Sequence, residues 1–211
     1  HKKRIFLRTN NETGSKGMYL ITKKHTANDI EECIKKLSDR LIKIGHNRSD
    51  CKILAVEFLE PDENKYFSLY RAHVVKNEII CFYVITSTKD KFHCKDMTIK
   101  DMENFIKANT AFNQLLKSDK NIKIEITNSI KLLNMDLGAI EFFIINKKIY
   151  FLELNPMWNG HAGRNGFGNQ EFQDYLHKNK NKLNRLIPNI YHWLDNSKFY
   201  ENMYNEIAKI S

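Results

Sequence analysis

An α+β fold built on antiparallel strands is what this sequence predicts, and three observations carry the prediction. Strand-like segments come in neighbouring pairs joined by short polar turns. Helical periodicity falls in separate blocks. No strand–helix–strand alternation of the doubly wound kind runs through the chain. With 211 residues the chain can bury a substantial core, enough for one domain or two tightly packed lobes.

Taken in order, residues 4–7 read as a strand, 9–16 as a polar loop and 18–22 as a second strand. A helix starts at Asn28 or Asp29, sets Ile30, Cys33, Ile34, Leu37, Leu41 and Ile44 on one face, and ends at Gly45. Residues 52–59 form a short, largely apolar strand stopped by Glu60 and Pro61. Residues 66–75 and 78–86 read as a hairpin turning at Lys76 and Asn77. Thr98 caps a helix whose apolar face uses Met102, Phe105, Ile106, Phe112, Leu115 and Leu116, and a second helix covers 125–133. Two strongly apolar strands follow, 139–145 and 149–154, then a loop containing Gly160, Gly163, Gly166 and Gly168. Helices beginning near Gln170 and Asn196 finish the chain, with Pro188 breaking the stretch between them.

Composition narrows the function classes. Charged residues at 28% and hydrophobic ones at 42% describe an ordinary soluble protein. No run of about 18 apolar residues occurs, so no membrane-spanning helix is expected, and no signal-peptide pattern opens the chain. The first residue is His1 rather than Met, so a fragment with residues missing upstream is expected. Cys33, Cys51, Cys81 and Cys94 lie far apart without zinc-site spacing, which reads as four reduced thiols in a cytoplasmic protein. Cys94 beside His93 is set aside as a nucleophile–base pair, because neighbours on a strand face opposite ways. The formal charge of +9 and isoelectric point near 9.3 admit a nucleic-acid interface. The lysines are spread along the chain, however, and no aromatic-interleaved basic stripe accompanies them; an anionic small substrate fits the charge equally well.

The hairpin over 138–156 carries the chemistry. If Asn146, Lys147 and Lys148 form a three-residue turn, Glu141 stands opposite Glu153, and Asn155 projects from the same face opposite Ala139. Both faces of these strands are otherwise apolar, and like charges opposed in a buried sheet destabilise it. A divalent cation removes that penalty, and two carboxylates with an amide oxygen are hard ligands suited to Mg²⁺. The alternatives are that one glutamate faces solvent at a strand end, or that Arg8 or Arg71 neutralises the pair. A two-residue turn would send Glu141 to the other face.

Glu153-Leu154-Asn155-Pro156 after a hydrophobic strand, with an acid twelve residues upstream, resembles the E-x-N-P element of the ATP-grasp superfamily. It is most similar to the carboxylate–amine ligases that modify ribosomal proteins and peptides, although that family commonly has Asp where Glu141 stands. The resemblance implies an ATP-grasp fold of two antiparallel lobes with packed helices. Residues 1–59 would be the small lobe with a hinge near 57–61, residues 60–168 the large lobe with the metal hairpin, and 169–211 C-terminal helices. A preATP-grasp region would lie upstream of His1. Arg8, the loop with Gly14, Lys16 and Gly17, and the strand after it resemble the phosphate-covering unit, with Arg8 where Lys is usual. Glu57, Phe58, Leu59 and Glu60 resemble the adenine-receiving hinge, and Arg71 sits where the family faces the γ-phosphate with an arginine.

By that resemblance the chain is an ATP- and Mg²⁺-dependent ligase that activates a carboxylate as an acyl-phosphate for attack by an amine, on a peptide, protein or amino-acid substrate. Arg8 and Arg71 would carry the catalytic charge, Glu141, Glu153 and Asn155 the metal, and His161 or Arg164 the substrate carboxylate. A nucleotide-binding module without catalysis is a second reading, and a basic nucleic-acid binder a third.

Overall fold

Two antiparallel sheets hold every strand among the described residues, which are 4–10, 17–47, 50, 52–60, 66–89, 92–156, 167–187 and 191–209 of the computed structural model. The chain divides into two compact units, His1–Glu60 and Pro61–Ser211.

The first unit is a three-stranded sheet under one helix. Strands β1 (Ile5–Thr9), β2 (Met18–Ile21) and β3 (Ile53–Glu57) lie in the order β2-β1-β3. Helix α1 (Ala27–Lys43) begins one or two residues ahead of the expected Asn28 or Asp29, because Thr26 and Asp29 form a reciprocal capping box. Leu37 and Leu41 are buried, with Leu37 packing on Leu7 and Ile21 from the sheet. Side chains alternate along a strand, so Phe6 and Arg8 of β1 point away from α1. Their cross-strand partners Leu20, Met18, Val56 and Leu54 share that face. Leu54 is 43% exposed there, and among the described residues no helix of this unit covers that second face.

The second unit has a four-stranded sheet in the order β5-β4-β6-β7, formed by β4 (Phe67–Val75), β5 (Glu78–Ser87), β6 (Leu137–Ile145) and β7 (Lys148–Asn155). Helix α2 (Met102–Ser118) and helix α3 (Lys120–Lys131) cover one face, burying Phe112, Ile122, Ile126 and Ile130 against Ala72, Val84, Ile140 and Phe142. α3 starts five residues ahead of the expected 125–133, because Asp119 accepts from the Asn121 and Ile122 amides and caps it. The outer edge of β5 is closed by a side chain. Asn109, fully buried on α2, accepts from the Val84 amide and donates to the Val84 carbonyl, both at 2.8 Å. Its amide thus stands where a fifth strand would pair.

The other face packs on the C-terminal helices α4 (Gln170–Lys178), α5 (Lys180–Leu186), α6 (Tyr191–Leu194) and α7 (Asn196–Ala208). Phe167 stacks on Trp193 with centroids 5.6 Å apart, while Phe105 meets both edge-on, and this aromatic cluster holds Tyr83 from the sheet. At the sheet's other end, Phe199 of α7 packs over Ala139, Val75 and Cys81.

The hairpin between β6 and β7 corrects the expected register. Ile145 pairs with Lys148, so the turn has two residues, Asn146 and Lys147, at φ of 51° and 62°. Both in the left-handed region make the tight turn whose twist matches the strands it joins. The opposition of the glutamates survives because β7 contains a bulge: Phe142 pairs with Phe151 and Glu141 with Glu153, leaving Leu152 as the extra residue. The expectation that both faces of the hairpin are buried also fails. β7 is an edge strand, with Phe151 41% and Leu152 43% exposed.

Candidate functional site

Pairing across four strands lines up side chains of very different chemistry on the face of the second sheet away from α2 and α3. One row runs Tyr83, Arg71, Glu141, Glu153 from β5 through β4 and β6 to β7. The neighbouring row runs Cys81, His73, Ala139, Asn155. Because side chains alternate, these eight residues share one face, while Ala72, Ile140 and Phe142 take the other into the helical core.

Arg71 is the hub. Its Nη1 donates to Glu141 Oε1 at 2.6 Å, and its Nε donates to His73 Nε2 at 3.2 Å. Tyr83 is hydrogen-bonded to the same guanidinium, and burial pushes its hydroxyl well above the usual tyrosine range. The ion pair is mostly covered, with the Arg71 and Glu141 side chains 14% and 18% exposed. Burial raises the Glu141 carboxyl above its ordinary value, and Glu153 pushes the same way against the pull of Arg71. Asn155 Nδ2 donates to Glu153 Oε1 at 3.0 Å.

The four sequence-derived residues of this unit therefore converge: Arg71, Glu141, Glu153 and Asn155 lie in two adjacent rows. Arg71 neutralises Glu141 directly, which was one of the alternatives to a metal. No group of three or more His, Cys, Asp or Glu side chains poised for a metal occurs among the described residues. The donor set nonetheless fits Mg²⁺ in kind, being two carboxylates and an amide that can present its oxygen. Glu141 would contribute to it through Oε2, since Arg71 occupies Oε1.

Several contributors were invisible in the sequence. His73 and Cys81 occupy the second row, with Cys81 Sγ 3.0 Å from His73 Nδ1. His93 reaches the site from a loop. It caps the 3-10 turn Cys94–Asp96 by accepting from the Lys95 amide, and it feels the charges of both Arg71 and Glu153. Gly168, at φ 71°, donates its amide to the Cys94 carbonyl, and Asn169 donates to Met97, which ties this turn down. Cys94 and His93 thus sit in a turn, not on a strand, and their side chains meet at 3.3 Å. Burial pushes the Cys94 thiol up to about 11, which favours the protonated thiol at neutral pH. The turn at Lys76 and Asn77 alone would set His73 opposite Ile80 and Arg71 opposite Phe82. A bulge at Ile80 shifts the register and brings Cys81 opposite His73 and Tyr83 opposite Arg71, so no signal in the sequence pointed to them.

The remaining predicted residues belong to the first unit or fall outside the described residues. Arg8 lies on the open sheet face between Met18 and Leu54, with its Nε 3.4 Å from the Thr9 carbonyl. Glu57 is exposed at the end of β3. The Phe58 amide, expected to face an adenine, donates instead to the Arg4 carbonyl at 3.0 Å. The Phe58 ring is buried beside Phe6 and beneath the Arg4 guanidinium at 3.9 Å. Leu59 is half-buried. Glu60 is gripped by Arg4 through two contacts, Nε to Oε1 at 2.8 Å and Nη2 to Oε2, which hold its carboxyl below the ordinary value. Lys16, His161 and Arg164 lie outside the described residues.

No protein-family model and no curated protein matches the chain. Among solved structures it is similar to a Chryseobacterium gregarium RiPP-associated ATP-grasp ligase in complex with ADP and a leader and core peptide. The identity is 15%, the TM-score 0.33, and the match covers 87% of this chain and 48% of that one. The chain thus spans about half the length of that ligase. A TM-score of 0.33 is too low for the likeness to bear on activity. No helix among the described residues is long and apolar enough to cross a membrane.

Proposed function

We propose that this chain is the ATP-binding part of an ATP-grasp carboxylate–amine ligase, and the observation that carries the reading is the charged row Arg71–Glu141–Glu153 on the sheet face turned away from α2 and α3. A cation, two opposed acids and an adjoining amide on one face make little sense as core. They make sense as a surface that receives a polyphosphate with its counter-ion.

In this reading Glu141, Glu153 and Asn155 hold Mg²⁺, which would neutralise charge on the β- and γ-phosphates. Arg71 presents its remaining N–H groups to the γ-phosphate, where a fixed guanidinium stabilises the charge that builds during transfer. By the family pattern Arg8 of the first unit would supply a second phosphate contact. A substrate carboxylate oxygen attacks the γ-phosphorus and displaces ADP, giving an acyl-phosphate. An amine then attacks the acyl carbon, phosphate leaves with the bonding pair, and the amine gives up a proton. The chain's own contribution is positioning and charge. His93, lowered by burial and by Lys95, carries no fixed charge into this site at neutral pH. The substrate class is a peptide or amino-acid carboxylate with an amine acceptor.

The direct test is calorimetric titration of Mg·ATP into the intact protein and its Glu153→Ala variant. Binding in the parent and its loss in the variant, with unchanged far-UV circular dichroism, is the expected outcome. Equal affinity in the two proteins would sink the assignment. The Arg71–Glu141 ion pair favours one further reading, a nucleotide-binding module without turnover, since it satisfies Glu141 without any metal. ADP release that depends on an added amine acceptor would exclude that module.

A further inference from the structure

We infer that His73 is a positioning residue, whose ring nitrogen holds Arg71 in a one-point contact with Glu141 and so keeps the second oxygen of that carboxylate for a ligand. This rests on the nucleotide site proposed above.

The geometry begins with the tautomer. A guanidinium is always protonated, so Arg71 Nε can only donate, and His73 Nε2 at 3.2 Å must accept. The single proton of the neutral ring is then on Nδ1, which donates to Cys81 Sγ at 3.0 Å. Burial drives the Cys81 thiol far up, so it remains neutral and does not draw a second proton onto the ring. The ring is also fixed in space. Tyr83 meets it edge-on at 6.3 Å and Phe199 at 5.3 Å, and His73 is 2% exposed.

The consequence for Arg71 follows from the shape of its fork. An arginine facing a carboxylate prefers to close on both oxygens. Arg4 does so with Glu60 through Nε and Nη2. Arg71 cannot use Nε this way while His73 holds it, and its contact with Glu141 is Nη1 to Oε1. Without His73 the fork would swing onto both oxygens of Glu141, withdrawing one ligand from the cation and one donor edge from the phosphate.

The test compares the intact protein with His73→Leu and His73→Gln, since Gln places an acceptor near the Nε2 position and Leu does not. Mg²⁺ is titrated at fixed ATP, and the concentration for half-maximal nucleotide binding is read by calorimetry. His73→Leu should need at least about tenfold more Mg²⁺, the scale of one charge-assisted hydrogen bond. His73→Gln should return to within about threefold of the parent. Parent binding with an unchanged Mg²⁺ requirement in His73→Leu would overturn the inference and leave the nucleotide site standing. Absence of Mg·ATP binding in the parent would overturn both. Should His73→Leu fail to fold, nitrogen-15 spectra of the parent decide the matter alone: Nδ1 must appear protonated and Nε2 unprotonated. The opposite tautomer would refute the arrangement.

Discussion

Two arginine–glutamate pairs, one in each unit, show how the same two residue types can be used in opposite ways. Arg4 closes on Glu60 with a full fork at the surface, Glu60 being 57% exposed, and lies over the Phe58 ring. Arg71 touches Glu141 once, in a site where both are mostly covered, and spends its Nε on His73. The first arrangement maximises contact between the partners and engages both oxygens of the carboxylate. The second leaves part of each partner unused, in surroundings where an unused charge is costly. The surface pair is a clasp at the end of the first sheet; the covered pair has the form of a binding site.

The largest expected effect tests that cost. Arg71→Met should lower stability by about 2 to 4 kcal/mol in urea unfolding at pH 7, because it leaves Glu141 covered beside Glu153 without a cation. A loss under about 0.5 kcal/mol would mean the pair is no more demanding than a surface one, and the contrast would collapse. Pairing the change with Glu141→Gln should recover a good part of the loss, a coupling that a double-mutant cycle reads directly. Arg4→Met should cost no more than about 1 kcal/mol, part of it from lost packing over Phe58 rather than lost charge.

The smallest effect is one of pH. Arg4 lowers the Glu60 carboxyl, so the contribution of that pair is present above the unfolded carboxylate value and disappears as pH falls through the lower folded value. Thermal unfolding of Glu60→Gln should therefore differ from the parent by about 0.2 to 1 kcal/mol near pH 7, discounted for exposure, and the difference should shrink steadily as the medium is acidified. A difference that does not shrink on acidification would show that Glu60 acts by shape and not by charge.

Most of the strands and the α+β class were legible because hairpin turns and alternation are local properties. Lys76 and Asn77 announce their turn, and the apolar runs around Glu141 and Glu153 announce theirs. The convergence of Arg71 with those acids was readable only through the family pattern. What stayed hidden depends on tertiary choice. A bulge at Leu152 leaves no mark in the composition of β7, so the two-residue turn and the opposed glutamates looked incompatible. His93 reads as a strand residue until Gly168 and Asn169 pin its loop over the sheet. The commitment of the Phe58 amide to Arg4 requires knowing that β1 and β3 are neighbours.

The turn at Asn146 and Lys147 and the extra residue at Leu152 also make the hairpin a counting device. Eleven residues separate Glu141 from Glu153: two are consumed by the turn, one by the bulge, and the other eight pair off. Deleting Leu152 would remove the bulge and still leave the acids opposed. With a two-residue turn kept, inserting one residue there would push them to opposite faces unless a bulge were lost or gained elsewhere. Length changes in this hairpin are thus constrained by parity, and an odd insertion is tolerated only when the turn or the strand absorbs it.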